Sequence, residues 1–287
     1  MQNNKDLVTS SWPNYELLDS GDNRKLERYG NVVLVRPETQ AIWKPLRSGL
    51  WKSAQATFRF IEGKGLWQKK PGIPQSWEMA WNDARFVLKL SSFKHTGVFP
   101  EQAPNWDWIA DRLKTLNAPR VLNLFGYTGV ASIVAAQKGA EVTHADASKQ
   151  SIAWAKENAA LSHVGEGSIR YIVDDALKFT KREVRRKAIY DGIILDPPAF
   201  GRGPQGEVWK IEEQLLELME TLPKLLAEKT GSFFLLNGYA AGYTPQSFLQ
   251  LVKSFFGKIK GEFGELQLQE SASERRISSG IYVRFVR

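Results

Sequence analysis

The sequence predicts an α/β protein, with a Rossmann-like, doubly wound and mostly parallel sheet behind a small β-rich domain. From about residue 100 onward, apolar strand-like runs alternate with helix-like segments, which is the pattern of βαβ units. Before that point, short extended runs are separated by turns that contain Gly and Pro. We therefore expect a β-rich N-terminal domain at residues 1–94 and a Rossmann-like domain at residues 95–287.

The spacing of apolar residues locates the individual elements. In the N-terminal region, extended runs occupy parts of 15–45, including 41–43, and parts of 54–80. In the second region, strands are expected at 120–125, 141–146, 169–175, 190–196 and 231–238, and helices at 104–116, 130–139, 148–161, 176–187 and 211–228. Residues 265–287 are again extended, and we expect them to form an antiparallel pair that closes the sheet.

The composition excludes several classes of protein. The 287 residues carry a net charge of +8 and include no cysteine, which rules out disulfides, cysteine-ligated metals and a thiolate nucleophile. The three histidines are not spaced as metal ligands, so we predict no metal. No apolar run approaches the roughly 18 residues of a membrane span, and the first residues lack the apolar core of a signal peptide. The expectation is a cytoplasmic protein without a membrane partner.

The positive charge is concentrated near the N-terminus. Residues 1–94 hold 15 Lys and Arg against 9 Asp and Glu, and also six of the ten Trp, whereas residues 95–287 hold 24 against 22. Positive charge interleaved with aromatic rings suits a nucleic acid whose bases can stack. Alternatively, these Trp fill the core of a small β domain. Composition leaves both interpretations open.

The first motif that indicates a ligand is LNLFGYTGVAS at residues 122–132. Gly126 and Gly129 bracket a tight turn between a strand and a helix. Glycines let the backbone approach a ligand closely, and the helix N-terminus offers amide donors. A glycine-rich turn that serves packing alone is the alternative.

Asp146 ends the next expected strand, about 20 residues after Gly126, where nucleoside-binding α/β folds place a ribose-binding carboxylate. The dinucleotide pattern GxGxxG is missing, because the turn reads Gly126-Tyr127-Thr128-Gly129. A nucleoside ligand other than NAD is therefore expected.

Asp174 and Asp175 end the third strand of this region. A carboxylate there can accept a hydrogen bond from the amino group of an adenine that lies across the strand tips. Asp175 also precedes Ala176 at an expected helix start, so an N-cap is the alternative. The two interpretations have equal support from the sequence.

The most specific motif is Asp196-Pro197-Pro198-Ala199-Phe200, directly after an apolar strand. A carboxylate at this strand tip lies in the ligand crevice. The two prolines stiffen the loop and remove two amide donors, and Phe200 offers a face to a planar ring. A rigid strand exit without function would not explain the acid.

Together these motifs resemble class I S-adenosylmethionine-dependent methyltransferases, and more narrowly a bacterial 23S rRNA methyltransferase family with an N-terminal β-rich domain. The resemblance covers nearly the whole chain. Its marks are LNLFGYTGVAS, DPPAFGRGPQGEVW at 196–209, and KHTGVFPEQ at 94–102, which is similar to the family's TGxFxDQ segment.

The resemblance implies S-adenosylmethionine as the cofactor. It implies RNA as the partner, and ribosomal RNA in particular. It implies catalytic roles for Asp196, Pro197 and Phe200, and substrate contacts from Pro198 and Arg202. The cofactor residues that it implies are Thr96, Gly97, Phe99, Gln102, Asn123, Phe125, Gly126, Tyr127, Thr128, Gly129, Asp146, Ala147, Asp175 and Ala176.

Two positions depart from the family pattern. Relatives that make 5-methylcytosine use a cysteine that adds to the ring, whereas this chain has none and carries Asn237 and Tyr239 near the expected place. We therefore predict that it does not methylate cytosine C5 by that route. Ala103 stands where many relatives have an arginine, so the salt bridge that this arginine makes in the relatives is left unassigned in this chain.

The function predicted from the sequence is methyl transfer to a base of RNA, with a purine nitrogen as a suitable acceptor. A methyltransferase of a protein or small molecule, and an RNA-binding protein without catalysis, are the alternatives. Arg275 and Arg276 are candidates for the substrate rim, and His95 for a proton acceptor. The basic run within 178–187 is either a solvated helix face or a phosphate contact.

Overall fold

The computed structural model describes residues 3–91, 93–239 and 242–287. It divides the chain into two compact units. One, the sheet unit, comprises Met1–Leu7, Asn105–Leu266 and Gly280–Arg287, and the other, the β-rich unit, comprises Val8–Pro104 and Gln267–Ser279. Among the described residues, no helix combines the length and the hydropathy needed to cross a bilayer.

The strands, in chain order, are β1 (Asn3–Asn4), β2 (Leu7–Thr9), β3 (Tyr15–Gly21), β4 (Arg24–Tyr29), β5 (Val32–Pro37), β6 (Ala56–Ile61), β7 (Lys64–Lys69), β8 (Ser76–Trp81), β9 (Ala84–Lys89), β10 (Arg120–Leu124), β11 (Glu141–Asp146), β12 (Ile169–Val173), β13 (Gly192–Leu195), β14 (Phe200–Arg202), β15 (Val208–Lys210), β16 (Phe233–Gly238), β17 (Gly261–Gln269) and β18 (Arg276–Val286). The α-helices are α1 (Ala103–Leu113), α2 (Val130–Gln137), α3 (Lys149–Leu161), α4 (Ala176–Arg185), α5 (Ile211–Thr221) and α6 (Pro245–Phe256). Short 3₁₀ turns occur at Ser48–Ser53, Pro100–Gln102 and Leu222–Lys224.

The large sheet has the strand order β1-β17-β18-β16-β13-β10-β11-β12. Strands β10 to β13 and β16 pair in parallel, and β18 runs antiparallel to β16. The predicted Rossmann-like α/β class is confirmed. The apolar side chains of β10, β13 and β16 that face helices α4 to α6 form the main core. The residues between them are also buried, and burial on both faces explains the continuous apolar runs in these strands.

Several predicted boundaries differ from the structure for local reasons. The helix expected at 211–228 ends at Thr221, because Pro223 cannot continue it and a 3₁₀ turn follows. The helix expected at 104–116 ends at Leu113, well before Pro119. The extended run expected at 41–43 was wrong. The backbone N–H of Ala41 bonds to the carbonyl of Glu38 in a turn instead of a strand ladder.

The β-rich unit contains one sheet of order β3-β4-β5-β6-β7 and the hairpin β8-β9. A fully buried ion pair lies in its interior, where Arg36 Nε and Nη2 donate to the two carboxylate oxygens of Glu27, each at 2.8 Å. Two tyrosine hydroxyls, of Tyr15 and Tyr29, also donate to Glu27 Oε1. This shared carboxylate is the polar centre of the unit.

The unit extends beyond the boundary expected at residue 94. It continues to Pro104 and includes Gln267–Ser279. The backbone N–H of Lys89 donates to the carbonyl of Thr96 at 3.1 Å, and Thr9 Oγ1 donates to the carbonyl of Glu101 at 3.4 Å. These bonds attach the segment after residue 94 to the β-rich unit.

Candidate active site

The carboxyl ends of β10, β11 and β13 meet at one edge of the sheet. Leu124, the last residue of β10, is in register with Ala145 on one side and with Leu195 on the other. The chain continues from β11 to β12 on the first side and from β13 to β16 on the second, so the topology switches direction at β10. Ligands of open α/β sheets bind in the crevice at such a switch point.

The turn after β10 has a backbone that only certain residues can adopt. Phe125 and Tyr127 have φ values of 55° and 50°, and Gly129, at 86°, precedes helix α2. A Cβ on Gly126 would lie 2.4 Å from the His144 ring, so no larger residue fits there. The turn therefore forms a close backbone cradle at the switch point.

Asp146 ties this turn to the end of β11. Its Oδ2 accepts the backbone N–H of Tyr127 at 2.9 Å, and its Oδ1 accepts that of Ser148 at 2.8 Å. Burial raises the pKa of Asp146, and these two hydrogen bonds oppose the rise. Each carboxylate oxygen has a further lone pair, so the side chain can still accept hydroxyl donors. Ala147, next to it, is half-buried.

Asn123 lies inside the fold. Its Nδ2 donates to Ser132 Oγ at 2.8 Å, and Ser132 Oγ is 2.9 Å from His144 Nδ1. Burial lowers the pKa of His144 to about 4, so its ring is neutral at pH 7. The cofactor contact predicted for Asn123 stays a prediction. Sequence reasoning missed the buried Ser132 and His144.

Asp175 is the N-cap of α4, as one of the two sequence interpretations proposed. Its Oδ1 accepts the backbone N–H of Lys178 at 2.9 Å. Asp174 supports it, because Asp174 Oδ1 accepts the Asp175 N–H at 2.9 Å and Asp174 Oδ2 pairs with Arg182. The helix start places the buried Ala176 directly behind the cap. A contact of Asp175 with an adenine stays a prediction.

The Asp196–Phe200 loop leaves the sheet beside the cradle. Asp196 is half-buried, Pro197 is buried, and Pro198 is exposed. The carbonyl of Pro198 accepts Trp209 Nε1–H at 2.7 Å, and the carbonyl of Ala199 accepts the N–H of Ile211 at 3.1 Å. The loop is therefore held by residues that follow it in the chain.

A hairpin that the sequence reasoning did not identify follows this loop. Strands β14 and β15 pair Phe200 with Lys210, and the turn between them contains Gly203 and Gly206. Phe200 is 54% exposed and Arg202 is exposed. The letters GRGPQG are a turn signal that could have located the hairpin.

Trp209 is another residue that the sequence reasoning missed. Its side chain is buried, and its ring centroid lies 4.8 Å from that of Phe125 in the cradle. Since Trp209 also donates to Pro198, one indole contacts both the glycine turn and the Asp196–Phe200 loop. It holds the two parts of the candidate site in a fixed relation.

Most of the basic run is engaged with acids of the sheet unit. Lys178 pairs with Glu207 at 2.5 Å, and Lys181 pairs with Glu217. The hydrogen bond from Lys178 lowers the pKa of Glu207 to about 2. Arg182 pairs with Asp174, and Arg186 pairs with Glu183 at 3.2 Å. These ion pairs favour the solvated-face interpretation of the run.

A family model described as S-adenosylmethionine-dependent methyltransferase matches residues 63–249, which is more than half of the chain. The chain belongs to the S-adenosylmethionine-dependent methyltransferases. The recognised resemblance, the enzyme class and the cofactor are thereby confirmed.

Solved structures agree with this assignment. The methyltransferase resembles a crystal structure of the SAM-dependent methyltransferase from Agrobacterium tumefaciens, with a TM-score of 0.94 and 38% identity over 99% of this chain and 94% of that one. A methyltransferase complexed with SAH aligns with a TM-score of 0.73 at 21% identity, covering 96% of this chain and 76% of that chain. The second likeness concerns the fold alone.

Curated relatives match only part of the chain. "Ribosomal RNA large subunit methyltransferase K/L" from Shewanella frigidimarina is 37% identical over 146 residues, which is 50% of this chain and 20% of that protein. The protein of the same name from Pseudoalteromonas atlantica is 32% identical over 58% of this chain and 23% of its own length. The chain thus spans about a fifth of the length of these relatives.

The residues at the switch point fit S-adenosylmethionine. The Gly126 backbone packs against the buried His144 ring, because a Cβ would lie 2.4 Å from that ring, and the Asp146 carboxylate has acceptor positions for ribose hydroxyls. In the methyltransferase, Asp146 would bind the ribose, Gly126 would contact the methionine end, and Tyr127, Thr128 and Gly129 would supply further cofactor contacts of this turn. These individual assignments stay predictions.

The segment at 96–102, for which the resemblance implies contacts with the methionine end of the cofactor, lies in the β-rich unit. Thr96 is fully buried, and its Oγ1 has no hydrogen-bond partner within the described residues. Gly97 has a φ of 109°, Phe99 is half-buried, and Gln102 is buried in a 3₁₀ turn. The cofactor contacts of these four residues stay predictions.

Three further candidates, Arg275, Arg276 and His95, lie in the same unit. Arg275 Nη1 donates to the carbonyl of Lys44 at 2.8 Å, and Arg276 begins β18. Burial, followed by the charges of Arg36 and Lys94, lowers the pKa of His95 to about 3. His95 is therefore neutral at pH 7.

Proposed function

We propose that this methyltransferase transfers a methyl group to a nitrogen of a base in ribosomal RNA. The observation that carries the proposal is the Asp196–Phe200 loop at the switch point, which combines a half-buried carboxylate with an exposed ring at Phe200. The names of the matched relatives support RNA as substrate. The absence of cysteine from the whole sequence argues against the cysteine route to 5-methylcytosine.

S-adenosylmethionine, when bound, supplies a methyl group on a sulfonium that a nitrogen lone pair can attack. Such a displacement depends mainly on alignment and on the exclusion of water. Asp196 and the carbonyl of Pro197 would accept N–H groups of the base and so direct its lone pair. Phe200 would stack on the base and fix its plane.

We also propose that the β-rich unit contacts RNA. The six Trp of residues 1–94 are half-buried, and five donate their indole N–H to protein atoms, so they serve mainly structural roles. The exposed rings are instead Phe60 and Phe93, at 68% and 69% exposure. Arg59 and Lys64 lie on the β6–β7 hairpin with Phe60. Exposed rings beside positive charge suit a single-stranded segment of RNA.

The test is methyl transfer to unmodified ribosomal RNA. Purified protein, labelled S-adenosylmethionine and a large-subunit rRNA transcript made without modifications should yield labelled RNA, and nucleoside mass spectrometry should find an N-methylated base. Ribonuclease treatment of the transcript should abolish labelling, and transfer should weaken as salt rises. Donor binding without labelled RNA, or label in 5-methylcytosine, would contradict the proposal.

A further inference from the structure

A chain of hydrogen bonds runs from strand β18 through helix α1 to the tip of β16. Arg284 Nη1 donates to Asn105 Oδ1 at 3.0 Å, and Asn105 Nδ2 donates to Asn237 Oδ1 at 3.0 Å. Arg284 is itself fixed, because its Nε and Nη2 donate to Glu262 Oε2 at 2.9 and 2.6 Å. Asn105, Asn237 and Arg284 are all buried.

The Arg284 guanidinium determines which atom donates and which accepts in each of these hydrogen bonds. Arginine has donors only, so Asn105 must turn its oxygen toward Arg284 and its amide nitrogen toward Asn237. Asn237 must then turn its oxygen toward Asn105. The orientation of an Asn amide usually has to be assigned, but here the arginine determines it. The Asn237 amide nitrogen is therefore a donor that points away from Asn105.

This donor lies next to Asp196. Leu195 and Leu236 are in register across β13 and β16, so Asn237 is the neighbour of Asp196 on strands about 4.8 Å apart. Side chains alternate between the two sides of a strand. A Cβ on Gly238 would lie 2.5 Å from the Phe248 ring in the core, which puts Asn237 on the opposite side, with α1. A carboxylate acceptor and an amide donor thus stand side by side at the carboxyl edge.

We propose that Asn237 positions the target base by donating a hydrogen bond from Nδ2 to an acceptor atom of that base. Asp196 accepts an N–H of the same base edge, so the pair recognises a donor beside an acceptor, such as the amino group and ring nitrogen of adenine. The inference rests on the proposed function. It adds a second specificity contact, held in one orientation by Arg284 and Asn105.

Two substitutions separate this role from a structural one. Asn237→Asp keeps the oxygen that Asn105 contacts and replaces only the outward donor with an acceptor. Asn237→Ala removes both groups. We expect each variant to lower kcat/KM for the rRNA transcript at least about 10-fold, equivalent to about 1.4 kcal/mol, while calorimetry gives a Kd for S-adenosylmethionine within about twofold of the wild type.

A third variant reverses the hydrogen bond between residues 105 and 237 without a substitution at Asn237. In Asn105→Asp, both carboxylate oxygens accept, so Asn237 must turn its amide nitrogen toward the new carboxylate and present its oxygen to the base. We expect kcat/KM for the rRNA transcript to fall in this variant as it does in the Asn237 variants, while the Kd for S-adenosylmethionine stays unchanged. Thermal melts of all three variants check that each one folds.

The outcomes are distinct. A near-normal Asn237→Asp beside an impaired Asn237→Ala would show a structural role and overturn the inference. Normal activity of Asn237→Ala, whatever the Asp variant does, would also overturn the inference. An equal loss of affinity for S-adenosylmethionine in both variants would overturn it as well. Failure of the proposed function is a separate result, because the wild type would then transfer no methyl to RNA.

Discussion

The two sides of the switch point are built differently. On the β11–β12 side, carboxylates accept backbone N–H groups, since Asp146 binds those of Tyr127 and Ser148 and Asp175 binds that of Lys178. On the β13–β16 side, side chains hold the polar groups, and Asn237 depends on an Asn105 that lies 132 residues away in the chain. We call the β11–β12 side, where the methyl donor S-adenosylmethionine would bind, the donor side. We call the β13–β16 side, where the target base would bind, the acceptor side. The first is fixed by its own backbone, whereas the second depends on distant side chains.

Loss of the Asp196 carboxylate should have the largest effect. Asp196→Ala removes the group that would orient the reacting nitrogen, so we expect kcat for the rRNA transcript to fall about 100- to 10,000-fold. The control is Asp111→Ala, since Asp111 is exposed and pairs only locally with Lys114. Near-full activity of the Asp196 variant would show that the acceptor side does not centre on this carboxylate.

The donor side should respond next most strongly, through its backbone. Gly126→Ala places a methyl group 2.4 Å from the His144 ring, so the cradle must shift, and we expect the Kd for S-adenosylmethionine to rise at least about 10-fold. Gly165→Ala is the matched control, because its Cβ would meet only Ser168 Oγ at 3.4 Å. Unchanged affinity in Gly126→Ala, measured by calorimetry, would place the ligand elsewhere.

Donor binding should also depend on pH through Asp146. Burial raises the pKa of this carboxyl, and a protonated carboxyl loses acceptor capacity. Affinity should therefore be full above this raised pKa and should fall, by up to about tenfold per pH unit, as pH drops through it. The fall should begin at higher pH than an ordinary aspartate would allow. The same titration of Asp146→Asn should lack this step.

The link between the two sides should give the smallest effect. Trp209→Phe keeps an aromatic ring near Phe125 but loses the hydrogen bond to the carbonyl of Pro198. We expect a loss of about 1 kcal/mol in the free energy of unfolding and a fall of a few-fold in kcat. Chemical denaturation and steady-state kinetics measure the two. If the affinity for S-adenosylmethionine fell by a larger factor than kcat, Trp209 would belong to the donor side alone.

The same contrast explains what the sequence could predict. The glycine turn, Asp146 and the N-cap at Asp175 follow from residues near one another in the chain, and the βαβ alternation places them at one sheet edge. The bonds of Asn237 to Asn105, and of Asn105 to Arg284 across 179 residues, leave no local pattern. Trp209 lies closer, but nothing in its spacing shows that its indole would meet both Phe125 and Pro198.

Calorimetric binding of S-adenosylhomocysteine to Asp146→Ala and Asp196→Ala tests most directly whether donor and acceptor functions occupy opposite sides of β10. We predict a Kd within about twofold of the wild type for Asp196→Ala and a rise of at least about 10-fold for Asp146→Ala. Equal losses in both variants, or a loss confined to Asp196→Ala, would contradict this division of the site.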